Sequence, residues 1–265
     1  MKPETHRLNR SQQCWLALAV ITAAYVIFWL LLLGATATYA TPDSWLRVLS
    51  SPEIRHATWL SLLSCTAAAG FALLLAIPVG YFMSRKHFPG KAWLDAALDI
   101  PIILPPLVVG LCLLIFFQTW AGKLIEKAVP FTYTVAGVVL AQFVVAASFA
   151  IRTMRGTFDH LSARPEDVAL TLGCTRFQAL WHVALPAARR GMIAAFCIAW
   201  ARSLGEFGPI LVFAGATRMK TEVLPTTVWL ELSVGNLEAA VSVSLLMVAM
   251  AIVVLVIVRT TGEKV

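Results

Sequence analysis

Charge is scarce in this sequence. Asp, Glu, Lys and Arg make up 13% of its 265 residues, about half the ~25% of a soluble domain. Hydrophobic residues reach 59%, and the mean hydropathy is +0.80. An ordinary soluble domain is excluded. Catalytic signatures are missing too. No G-x-x-x-x-G-K-[ST] occurs, so ATP phosphates are not cradled here by that device. Neither H-E-x-x-H nor G-x-S-x-G is present, which argues against an intramembrane hydrolase. The histidines, His6, His56, His87, His160 and His182, form no ligand pair at helical spacing. The cysteines, Cys14, Cys65, Cys112, Cys174 and Cys197, contain no C-x-x-C. They read as small buried side chains rather than a disulfide frame or metal cage.

What is present is a set of long apolar runs, at about 14–33, 58–83, 100–119, 133–151, 191–214 and 238–258. Each approaches the ~20 residues that cross ~30 Å of hydrocarbon as helix. Barrel strands are about half as long and alternate in polarity, and a span in lipid must satisfy its own backbone, as a helix does. The expected fold is an all-α integral membrane protein of about six transmembrane helices, a single membrane domain over 1–265. The first run has a basic start and small residues at Ala35, Thr36 and Ala37, like a signal peptide. Its apolar stretch exceeds the usual ~7–15 residues, so an uncleaved span is expected.

The net charge of +7 does not imply nucleic acid, because its distribution follows the loops. With the N-terminus inside, the inner segments hold Lys2, Arg7, Arg10, Arg85, Lys86, Lys91, Arg152, Arg155, Arg164, Arg176, Arg189, Arg190, Arg259 and Lys264. The outer loops hold only Arg47, Arg55, Lys123, Lys127, Arg218 and Lys220. The positive-inside rule then puts both termini in the cytoplasm.

The longest inner segment, 152–190, carries helix punctuation. Pro165 suits a first helical position, and Glu166 and Asp167 favour the positive end of the helix dipole. Val168, Ala169 and Leu172 give an apolar side, and Gly173 fits a left-handed stop. Thr175-x-x-Gln178 then matches a capping box. Phe177, Leu180, Trp181 and Ala184 share one helical face, and Pro186 closes the helix. Two helices this short are marginal alone. They lie either on the membrane surface or in a soluble partner.

Two further stretches stand out. In Ala201 to Gly215, ARSLGEFGPILVFAG, Arg202 and Glu206 are four apart, a spacing that permits an ion pair. Ionisable groups at membrane depth usually face a bundle interior. The pair is either a structural fastener or a functional group facing that interior, with Gly205, Gly208 and Pro209 loosening the helix. In Asp99 to Gly110, DIPIILPPLVVG, the prolines Pro101, Pro105 and Pro106 imply a kink or, preferably, a broken helix lining a cavity. Asp95 and Asp99 are expected at this helix's start.

The segment Asp167-Val168-Ala169, Gly173 and Val183-Ala184-Leu185-Pro186 resembles the EAA motif of ABC importer permeases. Asp stands for Glu and Val for the first Ala. LGEFG and LPP look like molybdate, tungstate and sulfate permeases, a resemblance covering most of the chain from about residue 58. The resemblance implies a coupling loop, with Glu166, Asp167, Ala169, Gly173, Phe177, Leu180, Trp181, Leu185 and Pro186 meeting an ATPase. It also implies a translocation path or gate formed by Pro105, Pro106, Arg202, Ser203, Glu206, Phe207 and Gly208. Implied partners are two copies of an ABC ATPase subunit carrying ATP and Mg, a second permease copy (homodimer rather than heterodimer), an extracytoplasmic solute-binding protein and the lipid bilayer. This chain would hold no cofactor and no metal. The setting would be a bacterial or archaeal cytoplasmic membrane, and the cargo molybdate or tungstate before sulfate. A secondary transporter or channel is the alternative of another class; it leaves the loop motif unexplained.

Overall fold

The computed structural model describes residues 10–263. Lys2, Arg7 and Lys264 of the inner charge count lie outside them. Among the described residues all regular structure is helical. The elements are α1 (Arg10–Thr38), α2 (Pro42–Ser50), α3 (Pro52–Arg85), α4 (Lys91–Ile103), α5 (Pro106–Gln118), α6 (Trp120–Ala128) and α7 (Val135–His160). Then follow α8 (Arg164–Thr171), α9 (Arg176–Ala179), a π-helical turn (Leu180–Ala184), α10 (Leu185–Ala187), α11 (Arg189–Leu204), a second π turn (Ile210–Ala214), α12 (Leu224–Ser233) and α13 (Leu237–Glu263).

The core is built where helices present small residues. In α3, Ala57, Ser61, Cys65, Ala69, Ala72, Ala76 and Gly80 recur about once per turn and are buried. In α7 the buried stripe includes Ala141, Val145, Ala146, Ala150 and Met154. Lipid tails are as apolar as leucine, so close backbone approach rather than a hydrophobic force holds such helices together. The approach is near its limit at Gly80, where a Cβ would lie 2.9 Å from the Arg155 nitrogen. Cys65 meets Gln142 and Gly80 meets Met154, so α3 and α7 run parallel. Gly191 of α11 abuts Thr157, and Gln142 donates to the Ser203 carbonyl, so α11 runs antiparallel to α7. Large apolar side chains on the opposite faces, such as Leu63, Phe71 and Leu74, are exposed, as lipid-facing residues are. In α1 the apolar stretch Trp15–Thr38 buries nothing within this chain.

Four helices are long and apolar enough to cross a membrane unbroken, up to six if each bent pair counts as one span. The expected third span, 100–119, is not one helix. It is α4 and α5, bent by 108°, because Pro105 and Pro106 remove consecutive backbone donors and push the preceding residue out of the helical region. Asp95 and Asp99 therefore do not start this helix; they lie within α4. The expected fifth span, 191–214, stops at Leu204 and resumes beyond Gly205. At 16 residues α11 spans only ~24 Å, at 1.5 Å per residue. The inner loop begins later than expected, since α7 continues through His160. Of the cysteines, Cys65 is buried but Cys112 and Cys174 are exposed. The side chain of Cys14 lies outside the described residues.

The short helices α2 and α6, in the segments before α3 and α7, were not expected. Thr41 caps α2 by accepting from the Ser44 N–H, with Pro42 opening the helix, a signal that Thr-Pro-Asp carries in plain view.

The close approach of α3 and α7 makes a direct prediction. Ala72→Leu adds bulk at a position with 0% exposure and is expected to cost about 1–3 kcal/mol. The thermal midpoint of the solubilised protein measures it. Removing bulk at exposed Leu74, Leu74→Ala, should be nearly silent by contrast.

Candidate functional site

The inner loop is fastened to the bundle by one guanidinium. Arg85 closes α3. Its Nε and Nη2 donate to Glu166 Oε1 at 3.1 and 2.7 Å. Its Nη1 donates to the Phe158 carbonyl at 2.8 Å, and Nη2 also to the Leu161 carbonyl at 3.1 Å. Those carbonyls close α7, so the cation satisfies acceptors that helix geometry leaves over. Tyr81, one turn back on α3, donates its hydroxyl to Glu166 Oε2 at 2.7 Å. The Arg85 and Glu166 side chains are 15% and 9% exposed. The acid that holds the loop is thus Glu166, which faces inward. Asp167, aligned with the motif acid, is exposed. Arg85 and Tyr81 were missed. Their signal was an aromatic-Arg pair four apart at the end of a span.

Beyond Glu166 the loop follows its punctuation. Gly173 takes φ +91°, its N–H donates to the Leu170 carbonyl, and Cys174 donates to Ala169. This is the paired hydrogen bonding of a left-handed helix stop. The Thr175–Gln178 capping box is formed in both directions. Pro186 does not close the next helix, which runs to Ala187 before bending 76° into α11. The π turn ahead of it has Leu185 donating to Leu180, and this wider turn accommodates a ring that would clash with the carbonyl four residues back. The expected single apolar face is split. Leu180 and Ala184 pack onto the core. Phe177 and Trp181 point outward, 71% and 59% exposed, their rings stacked 6.2 Å apart. Val168 and Leu172 are exposed beside them in sequence, while Ala169 and Leu185 are half-buried and Pro186 exposed.

The two proline- and glycine-rich stretches meet each other. A Cβ on Gly208 would lie 2.9 Å from the Leu107 nitrogen and the Pro106 carbonyl carbon. A Cβ on Gly110 would lie 2.8 Å from Pro209 Cα. Each break thus seats its glycine against the other's proline. Pro105 and Pro106 are otherwise exposed. An apolar cavity of about 260 Å³ fills the inside of the α4–α5 elbow, lined by Pro101, Leu104, Val109, Leu113, Phe116 and Val144. The expected broken helix lining a cavity is there, but the cavity is no anion site by itself.

Beside the crossing, Arg202 Nη2 lies 3.0 Å from Glu206 Oε2. The expected pair forms, yet Glu206 is outside the helix, its N–H donating to the Ser203 carbonyl. The contact is close enough for ion pairing but off-line for a hydrogen bond, so both Glu206 oxygens lack one. Phe207 is half-buried against Trp229, ring centroids 6.2 Å apart. On the inner side, Asp95 pairs with Arg155 and Asp99 with Arg152, tying α4 to α7. Both pairs are partly exposed, so each contributes at most about 1 kcal/mol.

The family model described as "binding-protein-dependent transport system inner membrane component" matches residues 76–261. The chain is 31% identical to the probable molybdenum ABC transporter permease protein of Haloferax volcanii, covering 95% of this chain and 92% of that one. It is 30% identical to the sulfate transport system permease protein CysT of Escherichia coli, over 89% and 87%. It is 36% identical to the molybdate/tungstate transport system permease protein WtpB of Thermococcus kodakarensis, over 63% and 64%. Its fold resembles a chain in the crystal structure of a bacterial ABC transporter involved in the import of the acidic polysaccharide alginate, with a TM-score of 0.76, 14% identity and 96% of each chain covered.

Arg85→Ala leaves Glu166 buried without its cation and is expected to destabilise the protein by roughly 3–5 kcal/mol. Glu166→Gln should cost less, since the amide still accepts. Thermal unfolding of the two solubilised variants checks the order. Gly208→Ala pushes a methyl against backbone that cannot give way and should cost about 1–3 kcal/mol. Limited proteolysis within the α4–α5 elbow, compared with wild type, reads that loosening.

Proposed function

The chain belongs to the binding-protein-dependent transport system inner membrane component family, the multi-pass permeases of ABC importers, and we propose that its cargo is a tetrahedral oxyanion, molybdate or tungstate before sulfate. An extracytoplasmic binding protein delivers the anion, and a separate ATPase, in two copies, drives its passage. ATP and Mg belong to that partner, and a second copy of this chain completes the path. The named cargoes of the relatives support the oxyanion, molybdenum and tungstate more often than sulfate among those compared.

The observation that carries the ATPase reading is the stacked Phe177–Trp181 pair. It stands exposed on a loop locked to α3 and α7 through Glu166 and Arg85. Exposed aromatics at the tip of a rigid element are the composition of an interaction hot spot. A loop so anchored cannot move without carrying both spans. A force applied at the aromatics therefore reaches the bundle, and α11 packs on the same two helices. The crossing of the two broken helices at Gly110 and Gly208, with Arg202 and Glu206 beside it, is the gate this motion works on. Substrate sites at interrupted helices near the membrane midplane are a recurring solution in transporters. Pro105, Pro106, Ser203 and Phe207 shape that crossing.

A secondary transporter would leave the exposed aromatic pair without a role. The distinguishing experiment is co-purification from the native membrane. A nucleotide-binding subunit is expected to remain bound to wild type and to be lost from Phe177→Ser/Trp181→Ser. A chain that purifies alone and moves anion in vesicles without ATP would refute the reading. The co-purified binding protein, titrated with molybdate, tungstate and sulfate, identifies the cargo.

Gly173→Pro tests the coupling itself. Proline holds φ near −65° and removes the donor to Leu170. The variant is expected to insert and hydrolyse ATP, with uptake in proteoliposomes reduced by about tenfold or more, equivalent to ~1.4 kcal/mol of lost coupling. Unchanged uptake would remove Gly173 from the coupling loop.

A further inference from the structure

Glu206 is 1% exposed and stands at the break in the fifth span. Burying a carboxylate needs both a counter-charge and hydrogen bonds. Glu206 has the first only. Arg202 lies 3.0 Å away, and neither carboxylate oxygen accepts a hydrogen bond. Two neighbours on the same polar seam are also unsatisfied, the Ser203 hydroxyl and the Gln142 side-chain oxygen. Gln142 of α7 and the Glu206 N–H converge on the Ser203 carbonyl, at 3.3 and 3.2 Å. On the α3 side the seam ends at the Cys65 thiol, 3.5 Å from the Gln142 nitrogen.

Arg202 is placed differently. Its side chain is 31% exposed, and its guanidinium lies 5.7 Å over the Phe149 ring. Arg202 is thus partly open at the surface of this chain while Glu206 is sealed. Arg202 is the cation paired with Glu206 among the described residues. The seam contributes Gln142, Ser203 and Cys65, of which only the thiol titrates. On α12, whose Trp229 meets Phe207, Glu231 is already paired with Arg218 at 2.8 Å. The π turn and α5 bring no charged side chain to the crossing.

An oxyanion that takes Arg202 therefore removes the only cation from a carboxylate sealed in the protein, and sets a second negative charge beside it. Resting on the gate reading above, we propose that Arg202 exchanges Glu206 for the passing oxyanion and that Glu206 then takes up one proton, so that anion entry and protonation are linked. The exchange balances. The pair and a dianion, with one proton from water, become an arginine–anion pair and a neutral carboxylic acid. The proton returns to water when the anion leaves and the pair closes.

The test uses the full chain with its co-purified ATPase and without the binding protein, whose own site would mask the signal. Molybdate is titrated calorimetrically at several pH values, in buffers of different ionisation heat. Wild type is expected to take up close to one proton per anion, with Kd rising about tenfold per pH unit across the linked range. Glu206→Gln should bind molybdate with no proton uptake and a pH-independent Kd. Arg202→Ala should lose binding. Should that variant not give a monodisperse complex, Arg202→Lys decides, weakening binding about tenfold because an ammonium lacks the planar fork. Binding that needs Arg202 but takes up no proton overturns the linkage and leaves the gate reading intact. Wild-type binding by the Arg202 variants overturns both.

Discussion

The Arg85 guanidinium is the joint on which the molecule depends. A cation at a helix end is usually free to sample water. This one is only 15% exposed and holds the end of α3, the last carbonyls of α7 and the first acid of α8. Its partners are fixed in space by the close packing of α3 on α7, so the guanidinium has one satisfactory position. Through it the loop becomes a rigid extension of two spans instead of a tether between them.

The bundle itself is held by close contact. Small residues bring backbones together at Gly80, Gly110 and Gly208, and Gly191 seats against the Thr157 side chain, so that a single methyl would collide at each. Parallel α3 and α7, with antiparallel α11 against both, form one block. The helices are interrupted at Pro105 and Gly205. The two breaks seat against each other, so one cannot reshape without the other. The ion pairs from α4 to α7 are partly exposed and weak by comparison.

Much of this was legible from residue order. Runs of ~20 apolar residues have few alternatives to helix in lipid. Caps and stops are chemical facts about neighbouring atoms, so Thr175–Gln178 and Gly173 behave as read. Tertiary contact overrode local reading elsewhere. Asp95 and Asp99 looked like residues for a helix start, but arginines a whole segment away claim them. Glu166 and Asp167 are indistinguishable by type, and only the packing of α8 beneath α3 buries one and leaves the other in water. Phe177 and Leu180 share a periodicity, yet in the packed loop one points outward and the other meets the core.

The sequence by itself determined the membrane class, the likeness to an importer permease, and the positions at which helices start, stop and break, because each rests on composition or on atoms a few residues apart. Only the tertiary structure decided how far the third span folds over, which acid Arg85 takes, and that the two proline–glycine breaks lock together. Those outcomes depend on distances between segments remote in the chain. A sequence states which donors, charges and missing side chains are available, and the packed bundle decides which of them meet.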